Sequence, residues 1–304
     1  MQKVVVLMGG ISSEKEISLK TGQAIYEALE SSQDFSVEKY VLTEDIFAFI
    51  NFLNNNQGII IFNALHGKFG EDGRIQAVLD LMKIPYTHSG VLTSAVAMNK
   101  ILTKEIAKSI GIPTAKHQAF NPKNFKASDI NISYPLVVKP IDEGSSVGIY
   151  LVNNQAELEI SLNQMQNFSK VMIEEYISGV ELTVGVLNDS PIAITEIVPI
   201  NAFYDYESKY AAGGSKHIIP ANLPSDITEK IKQYARILCN TIGCRGAARV
   251  DFIYNKNTNT PYLLELNNQP GMTATSLLPE QAQYLGISFA ELCAKLISLA
   301  RYDD

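Results

Sequence analysis

At 304 residues, 46% of them apolar, the chain is long enough for two or three well-buried domains. Its formal net charge of −7 argues against a nucleic-acid partner held by a basic surface, but a local cluster of Lys and Arg can still bind a small anion. Three cysteines without a C-x-x-C pair give no disulfide framework and fit a reduced, cytoplasmic protein, and no apolar run approaches the roughly twenty residues of a membrane span.

The first 95 residues alternate strand and helix. "KVVVLMGG" is a continuous apolar run, as in a strand covered on both faces. Ser13 and Glu16 have the spacing of a capping box for a helix that carries Thr21, Ile25 and Leu29 on one face. "VEKYVL" and "GIIIFNA" predict further strands, "GRIQAVLDLMK" a helix, and "IPYTHSG" a short strand. The pattern is that of a small, doubly wound α/β domain with a mostly parallel sheet.

From residue 96 the pattern changes. "LTSAVAMNKILTKEIAKSIG" predicts one helix ending near Gly111. Short strands then dominate ("TAKHQAF", "PLVVKP", "VGIYLV", "KVMIEEY", "ELTVGVL"), interrupted by a helix at roughly 154–166. This is the signature of an α+β unit with an antiparallel sheet. After "SPIAITEIVPI" and a Tyr-rich polar stretch, Ser225 is placed to cap a helix that reaches Gly243. "GAARVDFIY" and "YLLELNN" pair across a polar turn, and Ser288 with Glu291 forms a capping box for the last helix. The expected division is 1–95, 96–182 and 183–304.

Five stretches carry candidate chemistry. Arg249 and Asp251 share one face of a strand, and Glu265 and Asn267 share one face of its neighbour. Such a set reads either as an Arg–carboxylate ladder or as hard oxygen ligands for Mg²⁺ beside a cation; the apolar flanks favour the second, because idle buried charge is costly. Lys139, at a strand end before "EGSSVGI", suits a phosphate cradled by turn N–H groups, although a Gly-Ser turn between strands is also common without function. In "HGKFGEDGRIQ", His66 lies at the C-terminal end of a parallel strand, where open α/β sheets place ligands, while Asp72 or Gly73 can cap the following helix. "GGISSEKEIS" lacks the G-x-G-x-x-G spacing of a dinucleotide site, and Glu14 falls in a helical first turn that favours an acid in any case. "MIEEYISGVEL" sets Glu174 and Glu181 on either side of a turn, an arrangement that would suit an adenosine pocket but that composition alone does not establish.

Together and in this order, these stretches closely resemble the D-alanine–D-alanine ligases of the ATP-grasp superfamily. "HGKFGEDGRIQA", "IGCRGAARVDFI" and "LLELNNQPG" carry the resemblance, and "GGISSEKEISL", "VVKPIDEGSSVG", "FYDYESKY" and "PGMTATSLLP" extend it over essentially the full length. The resemblance implies a three-domain ATP-grasp architecture with an N-terminal Rossmann-like domain. It also implies an ATP-dependent ligase that makes D-alanyl-D-alanine for peptidoglycan through an acyl phosphate, acting as a cytoplasmic homodimer. Lys100 and Lys139 would contact the ATP phosphates, Glu174 and the backbone at Ile177 the adenine, and Glu181 the ribose. Asp251, Glu265 and Asn267 would hold two Mg²⁺ ions, for which Mn²⁺ can substitute, and Ser145 would close over the γ-phosphate. Glu14 would bind the ammonium of the first D-alanine, with His66 nearby. Arg249 and the N–H of Gly271 would form the oxyanion site, and Ser276 with the N–H of Leu277 would hold the carboxylate of the second D-alanine. Lys209 and Tyr210 would close the site. A related ligase using D-lactate or D-serine is the alternative; the "YDYESKY" loop favours an amine acceptor. Two departures from the family pattern are Asn268, where Thr, Ser or Pro is usual, and the absence of Trp near Ala247. Strand alternation turns Asn268 away from the metal face.

Overall fold

The computed structural model describes residues 1–125, 129–144, 148–199, 214–273 and 275–303. Strand β1 (Gln2–Gly9) lies between β2 (Phe35–Leu42) and β3 (Ile59–Asn63), all parallel. The apolar run of β1 is buried throughout because both faces are covered. Val4, Val6 and Met8 face the core that holds Ile25 and Leu29 of helix α1 (Lys15–Ser32). Val5 and Leu7 face the core of Phe49 and Leu53 from α2 (Ile46–Asn55) and of Ile75 and Leu79 from α3 (Arg74–Leu81). Gly22 lets α1 approach closely, since a Cβ there would lie 2.5 Å from the Met8 Cβ.

Three local expectations change. The Ser13–Glu16 capping box does not form, because the helix starts at Lys15 with Glu14 at the cap position, one residue beyond the spacing the box needs. The "IPYTHSG" strand reduces to a bridge at Tyr86, between Ile61 and Arg301. The single helix expected after residue 91 is two, α4 (Val91–Met98) and α5 (Lys100–Ser109). Asn99 breaks it with extended backbone, and its side chain accepts from the N–H groups of Ile101 and Leu102, restarting the helix.

The middle sheet runs β4 (His117–Phe120), β7 (Val171–Glu175), β5 (Leu136–Pro140), β6 (Tyr150–Val152), with α6 (Gln155–Gln164) packed on it. The C-terminal sheet runs β10 (Ser215–Ile218), β9 (Ser190–Pro199), β8 (Val180–Leu187), β11 (Ala247–Asn255), β12 (Thr260–Asn267). Neighbours in both sheets are antiparallel, as the α+β pattern predicts. Helix α7 (Ser225–Ile242) ends on Gly243 in the left-handed region, as expected, but Pro224 rather than Ser225 occupies the cap position. Helix α8 (Leu277–Tyr284) follows, and the last helix, α9 (Phe289–Ser298), carries the predicted Ser288–Glu291 capping box.

The cores cross the expected divisions. Ala97 and Ala107 of α4 and α5 are buried with Val184, Val250 and Leu238 of the C-terminal unit. Strand β8 runs unbroken through 182/183, so the sheets change at about residues 176–179 instead. Leu292, Cys293 and Leu296 of α9 share a core with β1 and α1, so the C-terminal helices cover the N-terminal sheet.

Candidate active site

A cavity of about 370 Å³ opens between the middle and C-terminal sheets, within the range of small-molecule sites. Its walls include Lys100, Lys139, Glu174, Ile177, Glu181 and Glu265, all singled out in the sequence. The chain passes from one sheet to the other along the 175–180 stretch, which lines one side.

Glu174 is buried on β7, with Lys139 Nζ 2.6 Å from Oε1 and Lys104 Nζ 2.9 Å from Oε2. Burial pushes the Glu174 carboxyl up, but the two ammonium groups outweigh it and hold it down at about 2. Lys104 also donates to the Leu263 carbonyl, 2.9 Å away. The sequence reading missed Lys104. The signal was its position one turn after Lys100 on α5, which puts both on the face that buries Thr103 and Ala107. Two cations around one carboxylate leave that cluster with a net positive charge, and Lys139, its member on the cavity side, suits phosphate. Lys100 donates to the Glu143 carbonyl at 2.6 Å and lies 3.7 Å from Glu265 Oε2.

Asp251 and Glu265 are register partners on β11 and β12, as are Arg249 and Asn267. The four therefore form a patch on one face of the pair. A bulge puts Glu265 there: Phe252 pairs with Leu263 while Asp251 pairs with Glu265, leaving Leu264 as an extra residue. Leu263, which also borders the cavity, is thus buried in the core, while Glu265, two residues on, is partly exposed beside Asp251 and lines the cavity. Arg249 holds Asp251 with both ends of its guanidinium, Nε to Oδ1 at 2.9 Å and the terminal nitrogen to Oδ2 at 2.8 Å. Thr183 Oγ1 donates to Asp251 Oδ1 at 2.6 Å, and Asn267 Nδ2 to Oδ2 at 3.1 Å. Asp251, Glu265 and Asn267 offer hard oxygen donors that fit Mg²⁺. Among the described residues no third acidic or imidazole side chain joins the two carboxylates, so water and substrate oxygens would complete the shell. Asn268 turns the other way, as expected, and donates to Ser94 Oγ at 2.9 Å.

Glu14 reaches the same region from the N-terminal unit. A Cβ on Gly67 would lie 2.6 Å from Glu14 Oε2, and one on Gly144 3.1 Å, so the carboxylate sits between the two loops. Gly144 also lines the cavity. Both ring nitrogens of His66 are engaged by the fold: Nδ1 lies 2.9 Å from Glu71 Oε1 and Nε2 3.0 Å from Thr21 Oγ1. Ser12 Oγ donates to the His66 carbonyl at 2.6 Å and accepts from the Glu14 N–H at 3.2 Å, tying the two loops together. Ser276 precedes α8, and its Oγ accepts from the Thr273 N–H at 3.0 Å. A Cβ on Gly271 would lie 3.1 Å from that Oγ, so Gly271, Ser276 and Leu277 are neighbours. Ser145, Lys209 and Tyr210 lie outside the described residues.

Two α+β sheets clasping a cavity of lysines and carboxylates, beside a doubly wound unit, define the ATP-grasp architecture. The family models for the D-ala D-ala ligase C-terminus and N-terminus match residues 106–298 and 43–89. The D-alanine–D-alanine ligase of Gluconobacter oxydans is 44% identical, over 98% of this chain and 100% of that protein. The crystal structure of the D-alanine–D-alanine ligase of Bacillus anthracis superposes with a TM-score of 0.87 at 32% identity, covering 98% of this chain and 97% of that one. Its complex with ATP gives 0.84 at 29% identity, with coverage of 98% and 97%. The chain belongs to the D-alanine–D-alanine ligase family. No helix among the described residues is long and apolar enough to cross a membrane.

Proposed function

We propose that the chain is an ATP-dependent, ADP-forming ligase that joins two molecules of D-alanine and supplies a peptidoglycan precursor. The observation that carries this reading is the Arg249, Asp251, Glu265, Asn267 patch beside a cavity lined by Lys100 and Lys139, with Lys104 buried behind Glu174. It combines oxygen ligands with cations at one end of a nucleotide-sized space. The solved ATP complex of a family relative supports the nucleotide.

In this reading the adenine lies along the 174–177 stretch, the ribose hydroxyls meet Glu181, and the phosphates meet Lys100 and Lys139. Glu174 orients Lys139, since both its oxygens are taken by lysines. Asp251, Glu265 and Asn267 would hold Mg²⁺, whose chemistry is to neutralise charge on the phosphates. Glu14 binds the ammonium of the first D-alanine, and His66, fixed by Glu71 and Thr21, shapes that end of the site. The first carboxylate takes the γ-phosphoryl group and becomes an acyl phosphate. The amine of the second D-alanine attacks it, with its own carboxylate at the N-terminus of α8 by Ser276 and Leu277. Arg249 and the N–H of Gly271 stabilise the tetrahedral oxyanion, and phosphate leaves. Ser145, Lys209 and Tyr210 close over the intermediate and keep water out. A homodimer in the cytoplasm completes the proposal.

The test is phosphate release with ATP and Mg²⁺ in the presence of D-alanine, L-alanine, or D-alanine with D-lactate or D-serine. D-alanine alone is expected to suffice and L-alanine to fail. No D-alanine-dependent phosphate would refute the reading, and faster turnover with D-lactate or D-serine at neutral pH would reassign the acceptor.

A further inference from the structure

The turn after β12 is fastened to the N-terminal sheet by one buried amide. Gln269 lies between Asn267 and Gly271, and only 4% of it is exposed. Its Oε1 accepts from Asn63 Nδ2 at 2.8 Å, and its Nε2 donates to the Leu65 carbonyl at 2.5 Å. Asn63 ends β3, and Leu65 precedes His66. The same Asn63 amide donates to the Gly70 carbonyl at 3.0 Å, Gln76 donates to that carbonyl at 2.9 Å, and Asn63 Oδ1 accepts from the Leu65 N–H at 3.2 Å. Gly70 is pressed against Leu65: a Cβ there would lie 2.4 Å from the Leu65 Cβ, so the glycine loop has no slack at this point. Pro270 restricts the residue before it to extended backbone, which limits where the Gln269 side chain can point. On the opposite side Asn268 anchors the turn to Ser94 of α4.

We propose that Gln269 is a positioning residue that holds the Gly271 turn in register with the loop carrying His66, so that first-substrate and oxyanion groups keep a fixed separation. This rests on the ligase reading above. Residues 63 and 269 are 206 positions apart, and among the described residues no strand ladder spans the two loops. The amide pair replaces it: each hydrogen bond is buried, and a buried donor or acceptor without its partner is costly, so the turn has one favoured position. Nothing in the arrangement brings Gln269 to the nucleotide cavity, whose lining omits it. Its loss should therefore affect alignment of the acyl phosphate and leave ATP binding unaltered.

The experiment compares the full-length wild type with Gln269→Met, which keeps the volume and loses both hydrogen bonds, and Gln269→Ser. ATP and D-alanine kinetics, phosphate release and dipeptide formation are measured together, with thermal midpoints. Misplacement by about 1 Å can cost on the order of a hundredfold in rate, so kcat for dipeptide is expected to fall about tenfold or more, with KM for ATP within about twofold. The ratio of phosphate to dipeptide is expected to rise as misaligned acyl phosphate is hydrolysed. Wild-type kcat and ratio in a folded variant would overturn the proposal, as would kcat and KM for ATP worsening in parallel. If the Gln269 variants do not fold, Asn63→Ser breaks the contact from the other side and must give the same split; wild-type kinetics there would overturn the proposal. A wild type without D-alanine-dependent phosphate would overturn the ligase reading as well, which the parallel wild-type assay distinguishes.

Discussion

Replacing Lys104 by Met tests the buried charge cluster at the cavity wall. Methionine keeps most of the length and volume of the lysine stem but removes the ammonium that meets Glu174 and the Leu263 carbonyl. Removing one partner of a buried ion pair typically costs about 3–5 kcal/mol, and leaving a buried carbonyl without a donor about 1–3 kcal/mol. Two features reduce the sum. Lys139 still neutralises Glu174 from 2.6 Å, and burial works against the charge on Lys104 itself, pushing its pKa down. A net loss of about 3 kcal/mol is expected, or on the order of 5 °C in thermal midpoint for a chain of this size. Lys139, left as the sole counter-ion of Glu174, becomes less available to phosphate, so KM for ATP should rise more than kcat falls. Adding Glu174→Gln removes the charge that Lys104 compensates, and the double variant should be less destabilised than the sum of the singles. A midpoint within about 2 °C of wild type for Lys104→Met, or strict additivity in the double variant, would refute the reasoning.

The two carboxylates of the proposed metal site should separate stability from turnover. Asp251 is buried and bonded by Arg249, Thr183 and Asn267, so Asp251→Ala should abolish turnover and lower stability by about 2–4 kcal/mol, read by thermal unfolding. Glu265→Ala, at a side chain about a quarter exposed, should abolish turnover with under about 1 kcal/mol of destabilisation; near-normal activity at low Mg²⁺ in either variant would remove it from the ligand set. The Glu174 carboxyl is held at about 2 against an ordinary 4.5. Because the folded value is the lower one, its contribution is complete above about 4.5 and is lost as pH falls towards 2; thermal midpoints across that range should fall more steeply in wild type than in Glu174→Gln. Glu14→Gln should mainly raise the apparent KM for the first D-alanine, and an unchanged value would count against the ammonium role.

Much of the fold was legible in the sequence because its signals were local. The apolar run of β1, the Ser288–Glu291 box and Gly243 each express a preference that the tertiary structure leaves intact. Where the reading failed, a longer-range contact had prevailed. Ser13 and Glu16 fit a capping box, but Ser12 instead ties Glu14 to the His66 loop, and the helix begins later. In the site, the paired strands could be read from Arg249, Asp251, Glu265 and Asn267, yet nothing in "PYLLELN" announces the bulge at Leu264 that sends Leu263 inward and Glu265 to the cavity. A bulge is fixed by the partner strand, and the partner is not written locally. Lys104 was missed for a related reason: an unpaired lysine in a helical pattern reads as solvated, and only folding brings Glu174 from a separate sheet to meet it.

The pairing of these charges bears on how the site would be loaded. Asp251 is matched by Arg249, Glu174 by Lys104 and Lys139, and Glu265 approaches Lys100. In the proposed complex Lys139 and Lys100 turn towards phosphate, and Arg249 towards the oxyanion. Each of those moves takes a cation from a carboxylate, most expensively at Glu174 and Asp251, which are buried. Glu174 tolerates the change, because Lys104 stays bonded to it and to Leu263. Asp251 keeps its hydrogen bonds from Thr183 and Asn267, and Asp251 and Glu265 are the residues whose oxygens suit a divalent cation. In the proposed complex a fixed lysine would balance Glu174, and a divalent cation would balance Asp251 and Glu265 as their cations turn to substrate. In that proposed complex Mg²⁺ would be required for nucleotide binding as well as for phosphoryl transfer.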